Sequence, residues 1–367
     1  YALADLLIEN SRITHLDIGL NKFTNEGVTR IVESIANNDQ SKLESLNIAK
    51  FGDPALNEET AHAIAKLLQS NVPLKELDLT DNHIGLQFKP IFDALKTNTT
   101  LTTLILDMNK GFDSAALTEA LKDNTTLRAL SLAETKPDVK NIQQLAQLIK
   151  HNSGITDLNL SGSNFDDTDM VYLASYFRDS QSLKRLDLSR NKFSAEGVKA
   201  IAQDLIQDNP KYPVALSELD LSYNSIAPEG MIAIAEILPH NTSLEKLFLR
   251  NTRIKGDQAM EALINGLQGN QSLIHLDYSH NPLSAQDINK LTTYIENNTT
   301  LRELVMHGAP FTIENCKKMS EALIENRSLR FVDLRNIQLH KDDVASCNVH
   351  FYNVTAEKKD LDFRLFE

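Results

Sequence analysis

One apolar spacing recurs twelve times along the chain and constrains the fold more than any other feature. In each copy a Leu or Ile is followed, three and five positions later, by further apolar residues, and often by Asn at the ninth position. Successive copies lie about 28 residues apart, a period at which each unit must stack on its neighbours to bury its apolar side chains. The copies begin at Ile13, Leu43, Leu74, Leu101, Leu127, Ile155, Leu183, Leu216, Leu244, Leu273, Leu301 and Leu329.

Each copy combines a strand signal with a helix signal. Leu186 and Leu188 lie two residues apart, so in a strand both point to one face, whereas Arg185 and Asp187 point to the other. Ser194, a residue type that can cap a helix, then precedes apolar residues at helical spacing. Those residues are Val198, Ile201, Ala202 and Leu205.

The repeated strand and helix predict an α/β solenoid with a parallel β-sheet on the concave face of a horseshoe and α-helices on the convex face. We expect three segments. Residues 1–12 form a helix of a preceding repeat or an N-terminal cap, residues 13–339 form twelve repeats, and residues 340–367 form a C-terminal helix and a capping strand. The alternation of Leu361, Phe363 and Leu365 with charged residues predicts that last strand.

The fullest copies, residues 74–82, 183–191 and 216–224, match the leucine-rich repeat pattern position for position. Between about residues 13 and 339 the long helical segments resemble leucine-rich repeats of the ribonuclease-inhibitor-like type. That type occurs in the ribonuclease inhibitor, in Ran GTPase-activating protein, in tropomodulin and in the sensing domains of intracellular immune receptors. The Asn-Thr-Thr-Leu junctions that begin at Asn98, Asn124 and Asn298 are also similar to repeats carried by effectors of intracellular bacteria.

Two sets of asparagines are interpreted as structural. At the end of the predicted strands, Asn can bond backbone groups where the chain turns; these residues are Asn21, Asn82, Asn109, Asn191, Asn224 and Asn281. At the helix-to-strand junctions, Asn98, Asn124 and Asn270 suit a left-handed helix end rather than a glycosylation role. Other residues replace the strand-end Asn in six copies, namely Phe51, Thr135, Ser163, Thr252, Ala309 and Ile337.

Composition narrows the class of partner. The 50 acidic and 37 basic residues give a formal net charge of -13, which argues against a general nucleic-acid or anionic-membrane surface. No stretch approaches the roughly 20 apolar residues that span a bilayer. Residues 209–213, with two prolines, lengthen the seventh copy and are expected to project from the rim.

The two cysteines favour a reducing compartment, and hence a cytoplasmic location, or the host cytoplasm for a bacterial effector. Cys316 and Cys347 fall in the register of buried helix residues and are interpreted as small apolar side chains, with a disulfide as the less favoured alternative. The apolar residues Leu3, Leu6 and Leu7 after Tyr1 suggest that an earlier repeat or domain preceded the sequence.

No motif indicates an enzyme. Glycine-rich phosphate loops, paired-cysteine metal spacing, nucleophile elbows and His-Glu-x-x-His sequences are all missing from the sequence. We therefore expect no cofactor, no metal and no small-molecule substrate. The clustered His275, His280 and His307 lack the spacing of a zinc site. A column of acids on the predicted strands, which includes Asp220 and Asp277, is interpreted as a preference of the repeat, although it could attract a basic partner.

The outward positions change character along the stack. Early repeats present small residues such as Ser45 and Ala129, whereas later repeats present the aromatic and arginine side chains that dominate protein interfaces. Phe248 stands where its neighbours have Asp, so we expect an exposed aromatic ring there, and Val305 shares this feature. The candidate partner-binding residues are Arg185, Asp187, Arg190, Asp220, Tyr223, Lys246, Phe248, Arg250, His275, Asp277, His307, Phe331 and Arg335.

The sequence therefore predicts a non-enzymatic scaffold that holds a protein partner on its concave face, and the resemblance to effector repeats implies a bacterial effector that acts on a host protein. The resemblance leaves two alternatives open. The chain could be a GTPase activator similar to Ran GTPase-activating protein, with Arg190 or Arg250 supplied to the partner's active site. It could also be the ligand-sensing part of a larger immune-type receptor.

Overall fold

A computed structural model describes residues 1–50, 56–83, 85–137, 139–177, 180, 182–205 and 215–365. These residues form two compact units, which are Tyr1–Asn164 with Tyr176–Asp187, and Phe165–Ser175 with Leu188–Glu367. Two sequence predictions, the insertion at residues 209–213 and the replacement of Asn by Phe51, lie outside the described residues. None of the described helices is both long enough and apolar enough to cross a membrane.

The first unit alternates short strands with helices. Its strands are β1 (His15–Asp17), β2 (Ser45–Asn47), β3 (Glu76–Asp78), β4 (Thr103–Ile105), β5 (Ala129–Ser131), β6 (Asp157–Asn159) and β7 (Arg185–Asp187). Its helices are α1 (Ala2–Leu7), α2 (Asn25–Ala36), α3 (Glu58–Gln69), α4 (Lys89–Leu95), α5 (Ser114–Leu121) and α6 (Val139–His151), and a 3₁₀ turn (Gly85–Phe88) precedes α4. Each strand pairs in parallel with the next one along the chain.

The second unit follows the same plan. Its strands are β8 (Glu218–Asp220), β9 (Lys246–Phe248), β10 (His275–Asp277), β11 (Glu303–Val305), β12 (Phe331–Asp333) and β13 (Asp362–Arg364), again each parallel to the next. Its helices are α7 (Asp167–Phe177), most of which lies in this unit, α8 (Ala195–Leu205), α9 (Ala227–Ile237), α10 (Asp257–Gly269), α11 (Ala285–Asn297), α12 (Ile313–Glu325) and α13 (Val344–Glu357). A 3₁₀ turn (Lys341–Asp343) precedes α13.

The predicted α/β leucine-rich repeat fold is confirmed. Strands β1 to β12 each begin at the third residue of a predicted copy, and their central residues, such as Leu219 and Leu247, are buried. Strand pairing is in register, so that His275 lies beside Lys246 on one side and Glu303 on the other. Residues at one repeat position therefore form a column across each unit's sheet.

The predicted asparagine ladder at the strand ends is also confirmed. The amide of Asn82 donates to the backbone oxygen of Ile48 in the preceding repeat at 2.9 Å and to that of Leu79 in its own repeat at 3.2 Å. Where Thr252 replaces Asn, its hydroxyl donates within its own repeat, to the oxygen of Leu249 at 2.8 Å. A hydroxyl is shorter than an amide, and this one does not reach the carbonyl group of the preceding repeat, although it lies 3.1 Å from Asn281 Oδ1 in the next repeat.

A second asparagine ladder runs along the helix-to-strand junctions. The amide of Asn270 donates to the oxygen of Leu238 in the preceding repeat at 2.7 Å, and its own oxygen accepts from the N–H of Leu273 at 2.7 Å. The predicted left-handed helix end is wrong here, because the φ of Asn270 is -90°. An extended backbone lets the side chain reach backwards. The buried members of this ladder are Asn38, Asn98, Asn124, Asn152, Asn241, Asn270 and Asn326.

The two cysteines are buried as predicted, but they form a disulfide, which corrects their interpretation as free apolar side chains. Cys316 lies on α12 and Cys347 on α13, and their Cα atoms are 5.5 Å apart. Adjacent repeats place the two helices side by side, so residues 31 positions apart in sequence meet. The bond ties the last helix to the stack, and it removes one argument for a reducing compartment.

Candidate protein-binding surface

The second unit presents outward side chains in two columns on its sheet, formed by the first and third residues of each strand. In the first column, polar side chains pair between neighbouring strands. Lys246 Nζ lies 3.4 Å from Glu218 Oε2, and His275 Nδ1 lies 2.6 Å from Glu303 Oε2. The next member, Phe331, is half-buried, and the Arg364 guanidinium lies 4.9 Å from its ring centre.

The acids of the second column have a turn-forming role. Asp220 Oδ1 accepts a hydrogen bond from the Ser222 N–H at 2.8 Å, and Asp277 Oδ1 accepts one from the Ser279 N–H at 2.9 Å. This bond to the backbone two residues ahead holds the chain where it leaves the sheet. The same contact is made by Asp17, Asp78, Asn47, Asn159 and Asp333.

Two apolar residues interrupt this column without leaving the turn unsupported. Phe248 cannot accept the N–H of Arg250, and Ser222 Oγ of the preceding repeat accepts it instead at 3.2 Å. In the same way, the N–H of His307, two residues after Val305, donates to Ser279 Oγ of the preceding repeat at 3.0 Å. Because serine hydroxyls take over the turn, these two positions are free to carry apolar side chains.

The expected exposure of both residues is wrong. Phe248 is half-buried, and its ring packs against that of His275 with 4.7 Å between centres, while Val305 is 8% exposed. The Phe248 ring is covered by His275, which belongs to the first column on the next strand. Phe248 therefore contributes an edge to the surface rather than a projecting side chain.

A third feature, here called the rim row, lies just beyond the strands. It consists of Arg190, Tyr223, Arg250, His280, His307 and Arg335. Several of these residues have a left-handed backbone, with φ of 56° at Arg190, 60° at Tyr223 and 56° at His280. These three residues occupy the eighth position of their copies, whereas Arg250, His307 and Arg335 occupy the seventh, so the rim row combines side chains from two adjacent repeat positions.

Contacts run along the rim row from repeat to repeat. The guanidinium carbons of Arg190 and Arg250 lie 4.4 Å and 5.9 Å from the Tyr223 ring centre. Arg250 Nη2 donates to His280 Nε2 at 3.1 Å, and the His280 ring meets that of His307 edge-on at 6.3 Å. Burial lowers the pKa of His280, and the positive charges of Arg250 and His307 lower it further. Its ring is therefore a neutral acceptor at neutral pH.

The far end of the rim row is anchored to a buried carboxylate. Asp333 is 2% exposed, accepts two hydrogen bonds from the Arg335 guanidinium, at 3.0 and 2.8 Å, and lies 2.9 Å from His307 Nε2. Burial of Asp333 opposes ionisation, but the hydrogen bond from Arg335 and the contact with His307 outweigh it, and the pKa of Asp333 is lowered. His307 and His275 are mostly buried, with 14% and 12% of their side chains exposed.

The structure thus brings together eleven of the thirteen predicted residues on the second unit. Arg185 and Asp187 lie on β7 of the first unit, where Arg185 pairs with Asp157. Sequence reasoning missed Glu218, Glu303 and Arg364, which occupy the same repeat positions as predicted residues and could have been found by aligning the copies. Among the described residues no cluster of His, Cys, Asp and Glu could hold a metal ion.

These features define a leucine-rich repeat fold with a patterned sheet face. The leucine-rich repeat family model matches residues 9–32, 70–86, 179–202 and 216–235. Among solved structures, the chain is similar to one of the Rad7 and Elc1 complex in yeast, with 17% sequence identity and a TM-score of 0.50. The alignment covers 83% of this chain and 72% of that chain. No curated protein matches the sequence.

Proposed function

We propose that the protein is a non-enzymatic scaffold that binds a protein partner through the sheet face and the rim row of the second unit. The observation that carries this proposal is the continuous row of arginine, tyrosine and histidine contacts across adjacent repeats. Arginine and tyrosine are enriched among residues that dominate binding energy. The similar solved structure is itself a protein complex, that of Rad7 with Elc1.

The scaffold supports binding because its side chains are held in place before a partner arrives. The strand-end asparagine ladder fixes the turns that carry the rim row, and ring contacts fix Arg190 and Arg250 on Tyr223. A surface that is already ordered loses less conformational entropy on binding. Partner specificity would then come from the alternation of Asp, Arg and aromatic side chains.

The resemblance to bacterial repeats makes a host protein the proposed partner, with a cytoplasmic setting for the encounter. Both remain predictions, as does the ribonuclease-inhibitor-like subtype. The GTPase-activator alternative requires Arg190 or Arg250 to reach into a partner's active site. Both guanidinium groups lie against Tyr223 instead, which favours the scaffold.

A capture experiment tests the proposal. The chain is used as bait in a eukaryotic cell lysate beside Phe248→Ala/Arg250→Ala, and bound proteins are identified by mass spectrometry. We expect the double variant to lose the partner, with a loss of more than about 2 kcal/mol once the purified pair is measured. The matched control is Arg253→Ala/Lys255→Ala, because both residues are exposed in the loop after β9 but lie off the rim row.

Retention of the same proteins by both baits would place the binding surface elsewhere, for instance on the helices. If a small GTPase is captured, its nucleotide turnover is measured with and without the chain. Acceleration that is lost in Arg190→Ala or Arg250→Ala would favour the activator over the scaffold.

A further inference from the structure

The arginines at the start of the rim row differ from the other cations of the same surface. Lys246, Arg335 and Arg364 each pair with a carboxylate, those of Glu218, Asp333 and Asp362 respectively. In the described part of the chain, Arg190 and Arg250 form no ion pair, although the protein as a whole carries an excess of acidic residues. Two positive charges thus face the same tyrosine ring without a counter-ion.

Arg250 also has a hydrogen-bond donor without an acceptor. Its Nη2 donates to His280, but its Nε is buried and has no partner among the described residues. A buried donor that is left unsatisfied destabilises the folded protein, and more so when the group is charged. Because this nitrogen is closed to solvent, a ligand oxygen can satisfy it only after a shift of the Arg250 side chain.

We propose that Arg190, Tyr223 and Arg250 form an oxyanion clamp that binds a carboxylate or phosphate group on the protein partner. This inference rests on the proposed function and names the chemistry of its ligand. A guanidinium presents a planar set of donors that matches carboxylate and phosphate oxygens. The Tyr223 ring holds both guanidinium groups by cation–π contact, so little order is lost when the anion arrives.

The surroundings restrict which anionic partner fits. Asp220 and Asp277 lie on the strands beside the clamp, and a net charge of -13 repels an acidic protein surface at longer range. The ligand is therefore a single acidic or phosphorylated side chain within a neutral or basic segment. The edge of Phe248, on the strand that leads to Arg250, gives an apolar neighbour of that side chain a place to pack.

Nuclear magnetic resonance of the arginine Nε–H groups tests the clamp directly in the full chain. Inorganic phosphate is titrated against chloride at constant ionic strength, and signals are assigned with Arg190→Lys and Arg250→Lys. We expect the Arg250 signal to shift with saturation under phosphate only. Arg190→Gln should abolish the shift, whereas Arg253→Gln, an exposed arginine off the rim row, should preserve it. Equal shifts under chloride, or equal shifts at Arg253, would overturn the proposal.

A peptide series then identifies the source of the oxyanion. Fluorescent Gly-Lys-Gly-X-Gly-Lys-Gly peptides carry Ser, Glu or phosphoserine at X, and binding is followed by fluorescence anisotropy. We expect Arg250→Gln to weaken binding of the anionic peptides at least tenfold and to change the Ser peptide less than twofold. Preference for phosphoserine identifies a phosphorylated partner, and equal binding of Glu identifies an acidic one. No difference between Ser and the anionic peptides contradicts the clamp.

The two proposals fail in different ways. If the captured partner still binds after phosphatase treatment and in the presence of excess anionic peptides, the scaffold stands and the clamp is wrong. If the clamp binds phosphate but the Phe248→Ala/Arg250→Ala bait captures the same proteins as the parent, the site binds free anions and the proposed partner surface is wrong.

Discussion

Removal of one ladder amide should destabilise the second unit far more than its size suggests. Asn281 is 3% exposed, and its Nδ2 donates to the oxygens of Leu249 at 2.7 Å and Tyr278 at 3.3 Å. Its Oδ1 accepts from the N–H groups of Thr252 at 3.1 Å and Ile254 at 3.2 Å. One side chain thereby joins two repeats through four backbone groups.

The loss in the free energy of unfolding expected for Asn281→Ala follows from the backbone groups that would be left without hydrogen-bond partners. Leu249 keeps the bond from the Thr252 hydroxyl, so three buried groups lose a partner, namely the N–H groups of Thr252 and Ile254 and the oxygen of Tyr278. An unsatisfied buried group costs about 1–3 kcal/mol, and the lower value applies here because the lost hydrogen bonds are long. Three such groups lower the free energy of unfolding by about 3 kcal/mol. Asn281→Thr should lose less, because a hydroxyl can still donate to the local carbonyl group, as Thr252 does.

Urea unfolding followed by circular dichroism measures both variants against Asn297→Ala, which alters an exposed asparagine at the end of α11. The order of stability should be parent and Asn297→Ala, then Asn281→Thr, then Asn281→Ala. A loss below about 0.5 kcal/mol for Asn281→Ala would refute the view that the ladder carries part of the stability.

Three further outcomes are expected. The Cys316→Ser/Cys347→Ser variant should lose about 3–4 kcal/mol, because the disulfide closes a loop of 31 residues, and a reductant should lower the melting temperature of the parent but not of the variant. Leu219→Asp should abolish cooperative unfolding of the second unit, since Leu219 is 2% exposed and the new charge would have no partner, with circular dichroism as the measurement. Because the pKa of Asp333 is lowered in the folded protein, its carboxylate stabilises the fold above the ordinary aspartate pKa of about 3.9. That stability is lost as pH falls through the lower pKa of the folded state. The free energy of unfolding of Asp333→Asn should therefore depend less on pH in that range than that of the parent.

Much of the fold follows from local patterns that the chain repeats. The spacing of Leu186 and Leu188 predicts a strand with one buried face, and the constant period predicts parallel pairing with the next repeat. The ladder role of Asn82 also follows, because an amide at a strand end has few uses other than turn bonding. Each of these inferences needs only one repeat and the fact of stacking.

Contacts between repeats were harder to predict because they depend on which side chains meet. Register identifies Cys316 and Cys347 as buried, but their pairing depends on the relative height of α12 and α13. Phe248 looks exposed when its own strand is considered alone, and only the ring of His275 on the next strand changes that. The contact of Arg190 and Arg250 with Tyr223 was similarly hidden, because the repeat pattern predicts all three as surface residues without showing that they meet.

The junction ladder gives the stack a direction. The buried junction asparagines donate backwards to the preceding repeat and also accept a backbone N–H in their own turn, as Asn326 does for Asn298 and Leu329, whereas Asn298 donates to the Tyr294 hydroxyl instead. After α13 the backward donor is Lys358, whose ammonium group donates to the backbone oxygen of Asn326 at 2.6 Å. An ammonium can donate but has no oxygen with which to accept. Lys358 therefore performs only the backward half of the exchange.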